Sequence, residues 1–266
     1  MLSVTSDFSK SEGDPKPYLK LISEAGFSHI HWCHHWCDDF LYTEPEISYI
    51  INSLKEYSLN ALDLHCSTGK EKNWASMLEH ERVAGVILVK NRIQMIRSLG
   101  GEVIIMHAYE YNNALKKSLD ELQPYANALN VKIAVENGEF SILKKIFDDY
   151  SPNFIGLCYD SGHGNMLKNN QGLENLNLHK ERLISVHLHD NNGLNDLHNP
   201  LFTGTVNWKK LAEIIAESAY KKPLSLEVTI LNSKFKNNID FLNDSFKSGN
   251  KLTEMVKEYQ SRINNF

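Results

Sequence analysis

The sequence has little that would tie it to a membrane, a disulfide framework or a polyanion. No apolar run approaches the roughly 18 residues that mark a bilayer-spanning helix; Val83–Val89, among the longest, stops at Lys90. Met1–Asp14 lacks a basic stretch followed by an apolar one, so no secretory signal is read there. Four cysteines (Cys33, Cys37, Cys66 and Cys158) are too few to staple a chain of 266 residues, and they suit reduced thiols. Basic residues are not in excess. The 28 Lys and Arg face 33 Asp and Glu, and a net charge of −5 offers no field to attract nucleic acid. With 42% hydrophobic and 23% charged residues, disorder is excluded as well. The expectation is a cytoplasmic globular protein with neither membrane nor nucleic acid as partner.

Histidine is what the chain has in abundance, twelve in all. Short apolar segments alternate with amphipathic ones throughout. The predicted strands are Leu2–Thr5, His29–Trp32, Ala61–His65, Val103–His107, Lys132–Glu136, Ile155–Asp160, Leu183–His189 and Leu224–Val228. Between them, helical spacing covers Tyr18–Ala25, Ile47–Tyr57, Trp74–Leu99, Asn113–Leu129, Phe140–Asp149, Glu174–Glu181 and Trp208–Tyr220, with a last helix in Asn243–Phe266. Such alternation means parallel strands joined by crossover helices. Eight units without a composition break predict an α/β fold, a (β/α)₈ TIM barrel forming a single domain over 1–266; a doubly wound open sheet is the alternative. Asn191–Val206 is the one long irregular stretch, and most strand-to-helix connections read as short.

Every predicted strand but the first ends on a side chain able to hold a metal. These are His31 or His34, His65, His107, Glu136, Asp160 with His163, His187 with His189 and Asp190, and Glu227. Parallel barrel strands bring all these ends to one mouth, where barrel active sites are built. A single histidine at a strand end is most simply a satisfied structural residue. Carboxylates ending apolar strands need a charge partner, and a bound cation supplies one for the whole set. The strand period of two puts His187 and His189 on one face and leaves Asp190 to tie down a loop. Segment His29–Asp39, with His31, Trp32 and Trp36, reads either as an aromatic wall of the pocket or as packing beneath a loop.

The segments Val135-Glu136-Asn137, Asp160-Ser161-Gly162-His163 and Val186-His187-Leu188-His189-Asp190-Asn191 are followed by Asp196-Leu197-His198, Gly204-Thr205-Val206-Asn207-Trp208 and Leu226-Glu227-Val228. As an ordered set spanning Gly26 to Glu227, they resemble the xylose-isomerase-like TIM barrel superfamily. That superfamily holds sugar (and sugar phosphate) isomerases and epimerases, and also the apurinic/apyrimidinic endonucleases. The isomerase branch implies a divalent metal (Mn, Zn, Co or Mg) on Glu136, Asp160, His187 and Glu227, with His163 on the substrate. The endonuclease branch implies a multi-zinc cluster that adds His65, His107, His163, Asp196 and His198. Two departures bear on the substrate. The usual Gly-x-Gly after Asp-x-His keeps only Gly204, and His31 stands where isomerases often carry a Glu.

The resemblance therefore implies a metal-dependent isomerase or epimerase. Proton abstraction beside a polarised carbonyl would use Glu136 and Glu227 as acid and base. His31, Trp32, Trp36 and His189 would line the sugar pocket; Lys132 and His65 would help to orient hydroxyls, and Asn137 or Asp190 would brace the ligands. The rival reading is a multi-zinc phosphodiesterase, against which stand the acid balance and the short rim connections. A third, a metal-free sugar-binding relic, would leave the carboxylates without a counter-charge. The expected partner is a small sugar; a homo-oligomer is left open.

Overall fold

The computed structural model describes residues 1–264. Its strands are β1 (Leu2–Thr5), β2 (His29–Trp32), β3 (Asn60–His65), β4 (Val103–Met106), β5 (Lys132–Glu136), β6 (Ile155–Asp160), β7 (Leu183–His187) and β8 (Leu224–Leu226). They form one parallel sheet in the order β7-β6-β5-β4-β3-β2-β1-β8. The seam between β7 and β8 is closed by Leu188, whose N–H donates to Ser225 O at 2.9 Å and whose carbonyl accepts from Glu227 N–H at 3.1 Å. The sheet is thus a nearly closed TIM barrel. The predicted strands β7 and β8 ran past these ends because the seam is a bridge and not a ladder.

Around the barrel run α1 (Lys16–Glu24), α2 (Glu44–Glu56), α3 (Glu79–Ser98), α4 (Asn113–Ala128), α5 (Phe140–Asp149), α6 (Ser161–Met166), α7 (Gln171–His179), α8 (Trp208–Glu217) and α9 (Asn238–Asn264). Several start where the sequence supplies a cap. Thr43 and Glu46 close a capping box on α2, and the Asn112 and Asn207 side chains accept N–H groups of α4 and α8 at 2.8 and 3.1 Å. Helix α9 begins before the predicted Asn243, and the end of that prediction, 265–266, lies outside the described residues. Among the described residues no helix is long and apolar enough to cross a membrane.

The main core lies between strands and helices, with Leu19, Ile22, Ile30, Leu64, Ile93 and Leu211 almost wholly buried. Each such side chain stabilises the fold by about 1.5–3 kcal/mol relative to exposure. Inside the barrel a small apolar plug of Val103, Ile105, Ala134 and Cys158 meets a polar set: Ser3, Asp63, Ser185, Ser225 and His31. An interior this polar at the floor must satisfy its groups internally.

Two rim connections are longer than expected. Segment 66–78, whose apolar Trp74 and Leu78 mimic helical spacing, is a loop and not the start of α3. Asp39 holds it, accepting the Ser67 hydroxyl at 2.7 Å and the backbone N–H groups of Glu71 and Lys72 at 2.6 Å each. The connection 33–43 is fastened in turn to α3, where buried Arg92 donates to Phe40 O and Asn91 brackets the Tyr42 backbone at 2.9 and 2.7 Å. The expectation of short rim connections is corrected on this point.

Candidate active site

Strand phase decides which residues reach the barrel axis. On β2, His31 points inward while Trp32 points out to the helix layer, its indole N–H donating to Tyr42 Oη at 3.0 Å. Trp32 is thereby removed from the pocket, and so is His34. The latter lines a separate cavity of about 460 Å³ bounded by Trp32, Phe40, Tyr42 and Tyr49. His31 reaches the axis but is wholly buried at the floor. Trp36, farther along the loop, lies at the mouth with its ring centroid 5.1 Å from that of His65.

Glu136 is the hub. Its carboxylate lies 3.4 Å from His65 Nε2, 3.8 Å from His107 Nε2, 3.1 Å from His163 Nδ1 and 3.2 Å from His187 Nδ1. The same His187 nitrogen is 3.1 Å from Glu227 Oε2. Glu136, Asp160, His187 and Glu227 therefore place four ligand atoms within 4.8 Å of one another. His65, His107 and Glu136 do so on one side, and His189, Asp196 and His198 on the other. His163 spans the gap, with Nε2 3.3 Å from Asp196.

Local chain geometry explains the convergence. Asp160 both ends β6 and caps α6, accepting His163 N–H at 2.6 Å, so the Asp-to-His spacing is that of a helix cap. The His189 imidazole sits 3.0 Å from Asp160 Oδ2 and packs on Gly162, where any Cβ would collide with the ring. Asp190 faces away as its phase predicts. It accepts the Trp208 indole N–H at 2.8 Å and Val206 N–H at 3.1 Å, tying down the β7 loop. Gly204 survives in that loop because a Cβ there would strike the Asn191 carbonyl. Asn137 donates to the Asp160 carbonyl at 3.0 Å, whereas Lys132 lies at the start of β5 and bonds Pro152 O at 3.1 Å, far from the mouth. Lys132 has no place in the site.

Electrostatics favour opposite charges side by side. Burial alone would push the Glu136 carboxyl up, but the imidazoles of His107 and His187 outweigh it and hold the group well below the usual carboxylate range. Glu227 behaves alike: burial opposes ionisation, and His187 and His198 more than offset it. Desolvation works against the charged form of His187, His163 and His198, yet nearby acidic groups raise all three, His198 to about 10. The Cys158 thiol, pushed up to about 12 by burial, stays protonated as an apolar filler.

The donor set fits a divalent cation. Among the described residues Glu136 Oε2 and both nitrogens of His187 are buried without a hydrogen-bond partner, although Glu136 Oε2 and His187 Nδ1 sit 3.1–3.4 Å from opposite partners. Close groups that miss hydrogen-bonding geometry are what a shared ion would satisfy. Glu136, Asp160, His187 and Glu227 would hold it. Carboxylate and imidazole together suit zinc, manganese or cobalt.

Sequence reasoning missed two acidic residues. Asp7 lies in the mouth cavity of about 490 Å³ with Trp36, His198 and Glu227. It is the strand-end acid that β1 lacked, two residues past Thr5; burial pushes its carboxyl up, and the charge of Glu227 adds to this. Asp63 is buried in mid-β3 beside His31, and its signal was an acid in an apolar strand, in phase with His65.

Since Trp36 is part of the cavity lining and not of the core, Trp36→Ala should raise KM for the substrate about tenfold, the order of 1.4 kcal/mol of lost stacking. The melting temperature should stay near that of the parent. A large fall in melting temperature would mean that Trp36 packs the loop instead.

The profile of the xylose isomerase-like TIM barrel family matches residues 19–245. The uncharacterized protein y4fM of Sinorhizobium fredii is 30% identical, the match covering 93% of this chain and 91% of that one. Among solved structures, a D-tagatose 3-epimerase-like protein superposes with a TM-score of 0.76 at 22% identity, covering 98% of this chain and 99% of its own. L-ribulose 3-epimerase gives 0.78 at 15% identity, over 99% and 96%. At these identities the likeness to solved structures is one of fold.

Proposed function

The chain belongs to the xylose isomerase-like TIM barrel family, and from that premise we propose that it is a metal-dependent sugar isomerase or epimerase. One observation carries the reading: Glu136 from β5 and Glu227 from just past β8 reach the same His187 nitrogen, at 3.2 and 3.1 Å, in a buried site whose Glu227 lines the mouth cavity. When bound, a divalent cation polarises a carbonyl and acidifies the neighbouring C–H.

The protein's own groups do the rest. Glu136 and Glu227 are held ionised, so either can accept the proton from carbon; the proton that goes back comes from that carboxyl, now protonated, or from its counterpart once that has taken one from solvent water. Return at the same carbon from the other face gives the epimer; delivery to the adjacent carbon gives the isomer. His163, braced between Glu136 and Asp196, is placed to hold a substrate oxygen. Trp36 offers a face for the apolar side of the ring and limits access of water from the rim. The structural relatives, a D-tagatose 3-epimerase-like protein and L-ribulose 3-epimerase, support a small ketose as substrate.

The test is exchange with solvent. Incubated with divalent metal and a panel of ketoses in D₂O, the protein should introduce deuterium at the carbon beside the carbonyl, read by NMR. No exchange with any ketose, at full metal occupancy, would sink the reading.

A second reading is favoured by a specific observation. The groups His65–His107–Glu136 and His189–Asp196–His198 flank the central four, and the first of them shares Glu136 with it. Room for more than one cation is what a multi-zinc phosphodiesterase needs. The negative balance of the chain and the scarcity of Lys and Arg at the mouth, where Lys10 lines the cavity together with Asp7, Glu12 and Glu227, weigh toward the sugar. Cleavage of an abasic oligonucleotide, without deuterium exchange into sugars, would favour the phosphodiesterase.

A further inference from the structure

Beneath the four-residue set lies a second group that the reading above leaves unused. His31 is wholly buried. Its Nδ1 is 2.8 Å from Asp63 Oδ1, and the other Asp63 oxygen accepts the Ser185 hydroxyl. A carboxylate that takes a hydroxyl on one oxygen accepts from the ring through the other, so Nδ1 carries the proton and Nε2 presents its lone pair. Among the described residues that Nε2 has no hydrogen-bond partner. It lies 3.7 Å from Glu227 Oε1, and the His31 and His187 rings are 4.4 Å apart. Glu227 thus divides its oxygens, Oε2 toward His187 and Oε1 toward His31. One ligand atom each from His31, His187 and Glu227 fits within 4.8 Å.

We propose that His31 Nε2 is a metal ligand at the barrel floor, held in register by Asp63 and completed by His187 and Glu227. A histidine whose far nitrogen is fixed by a buried carboxylate is how metal-bound imidazoles are oriented and made more basic. A wholly buried nitrogen facing a carboxylate and a second imidazole, with nothing to bond, is costly unless a cation meets it. Two imidazoles and one carboxylate oxygen suit a borderline ion such as zinc or cobalt better than magnesium. Glu227 would then touch metal through both oxygens, which ties the acid–base residue to the floor.

The inference rests on the metal-dependent reading but is tested apart from activity. Metal-free protein is titrated with Co²⁺, following the visible bands and competing with a chelating dye. His31→Gln and Asp63→Asn should each weaken cobalt binding, Asp63→Asn by about 10–100-fold, the usual effect of removing such a brace. Both should also shift the bands away from the parent spectrum. Should either variant fold poorly, ¹⁵N-histidine-labelled parent protein decides: added zinc must displace the His31 Nε2 resonance. Parent-like affinity and spectrum in both variants, or an unmoved His31 resonance in zinc-loaded protein, overturns the proposal and leaves the four-residue set standing. A parent protein that takes up no divalent ion sinks the function reading along with it.

Discussion

Replacing Glu227 by Gln is expected to lower turnover by about 10²–10⁴, the usual worth of a positioned acid–base group. The amide keeps the shape of the side chain, and the contact of His198 Nδ1 with the Glu227 carbonyl, at 2.9 Å, is a main-chain bond that the change leaves alone. What is lost is a carboxylate that His187 and His198 keep ionised against the cost of burial. An amide accepts no proton from carbon at neutral pH. The loss should therefore fall on kcat and kcat/KM together, the mark of an interaction made only in the transition state. The readout is the rate of deuterium uptake into the ketose, with metal content measured on the same sample. Unchanged kcat at full occupancy would remove Glu227 from the proton transfer.

Stripping the protein with a chelator is the second large effect, and it has a sign in pH. A tightly held ion present at about a thousand times its dissociation constant stabilises by about 4 kcal/mol, so removal should lower the melting temperature as well as abolish exchange. In the metal-free chain His187, His163 and His198 are raised above their ordinary values, His198 to about 10. Their contribution is complete below the unfolded value of about 6.5 and is lost as pH rises through the folded values. The metal-free protein should thus melt lower at pH 9 than at pH 6. Ion binding displaces those protons, so the apparent affinity should rise over the same interval. The gap between loaded and stripped melting temperatures therefore widens with pH. A gap that is constant or narrows would mean that the histidines do not compete with metal.

The barrel was legible in the sequence because its strands are buried on both faces, and runs such as Val103–Met106 or Ile155–Asp160 admit few other readings. The mouth was legible because parallel strands make their C-terminal ends neighbours whatever their separation in the chain. This gathers the strand-end acids and imidazoles at one mouth, and the family resemblance singles out Glu136, Asp160, His187 and Glu227, whose ligand atoms lie within 4.8 Å of one another. What sequence left out depends on contacts across strands. Segment 66–78 carries apolar residues at helical spacing, yet Asp39, from a different loop, captures its N–H groups. Trp32 stands in the same aromatic-rich stretch of sequence as Trp36, but strand phase sends it to the helix layer. Asp63 gains its meaning only from His31 and Ser185, whose side chains come from β2 and β7.

Those tests all presume that acids and imidazoles from β5, β6, β7 and β8 share one ion. Anomalous scattering from a crystal grown with zinc or manganese asks this directly. A peak is expected within bonding reach, about 2.0–2.3 Å, of Glu136, Asp160, His187 and Glu227. Density free of any peak there, with the four side chains turned apart toward solvent, would contradict the account at its root.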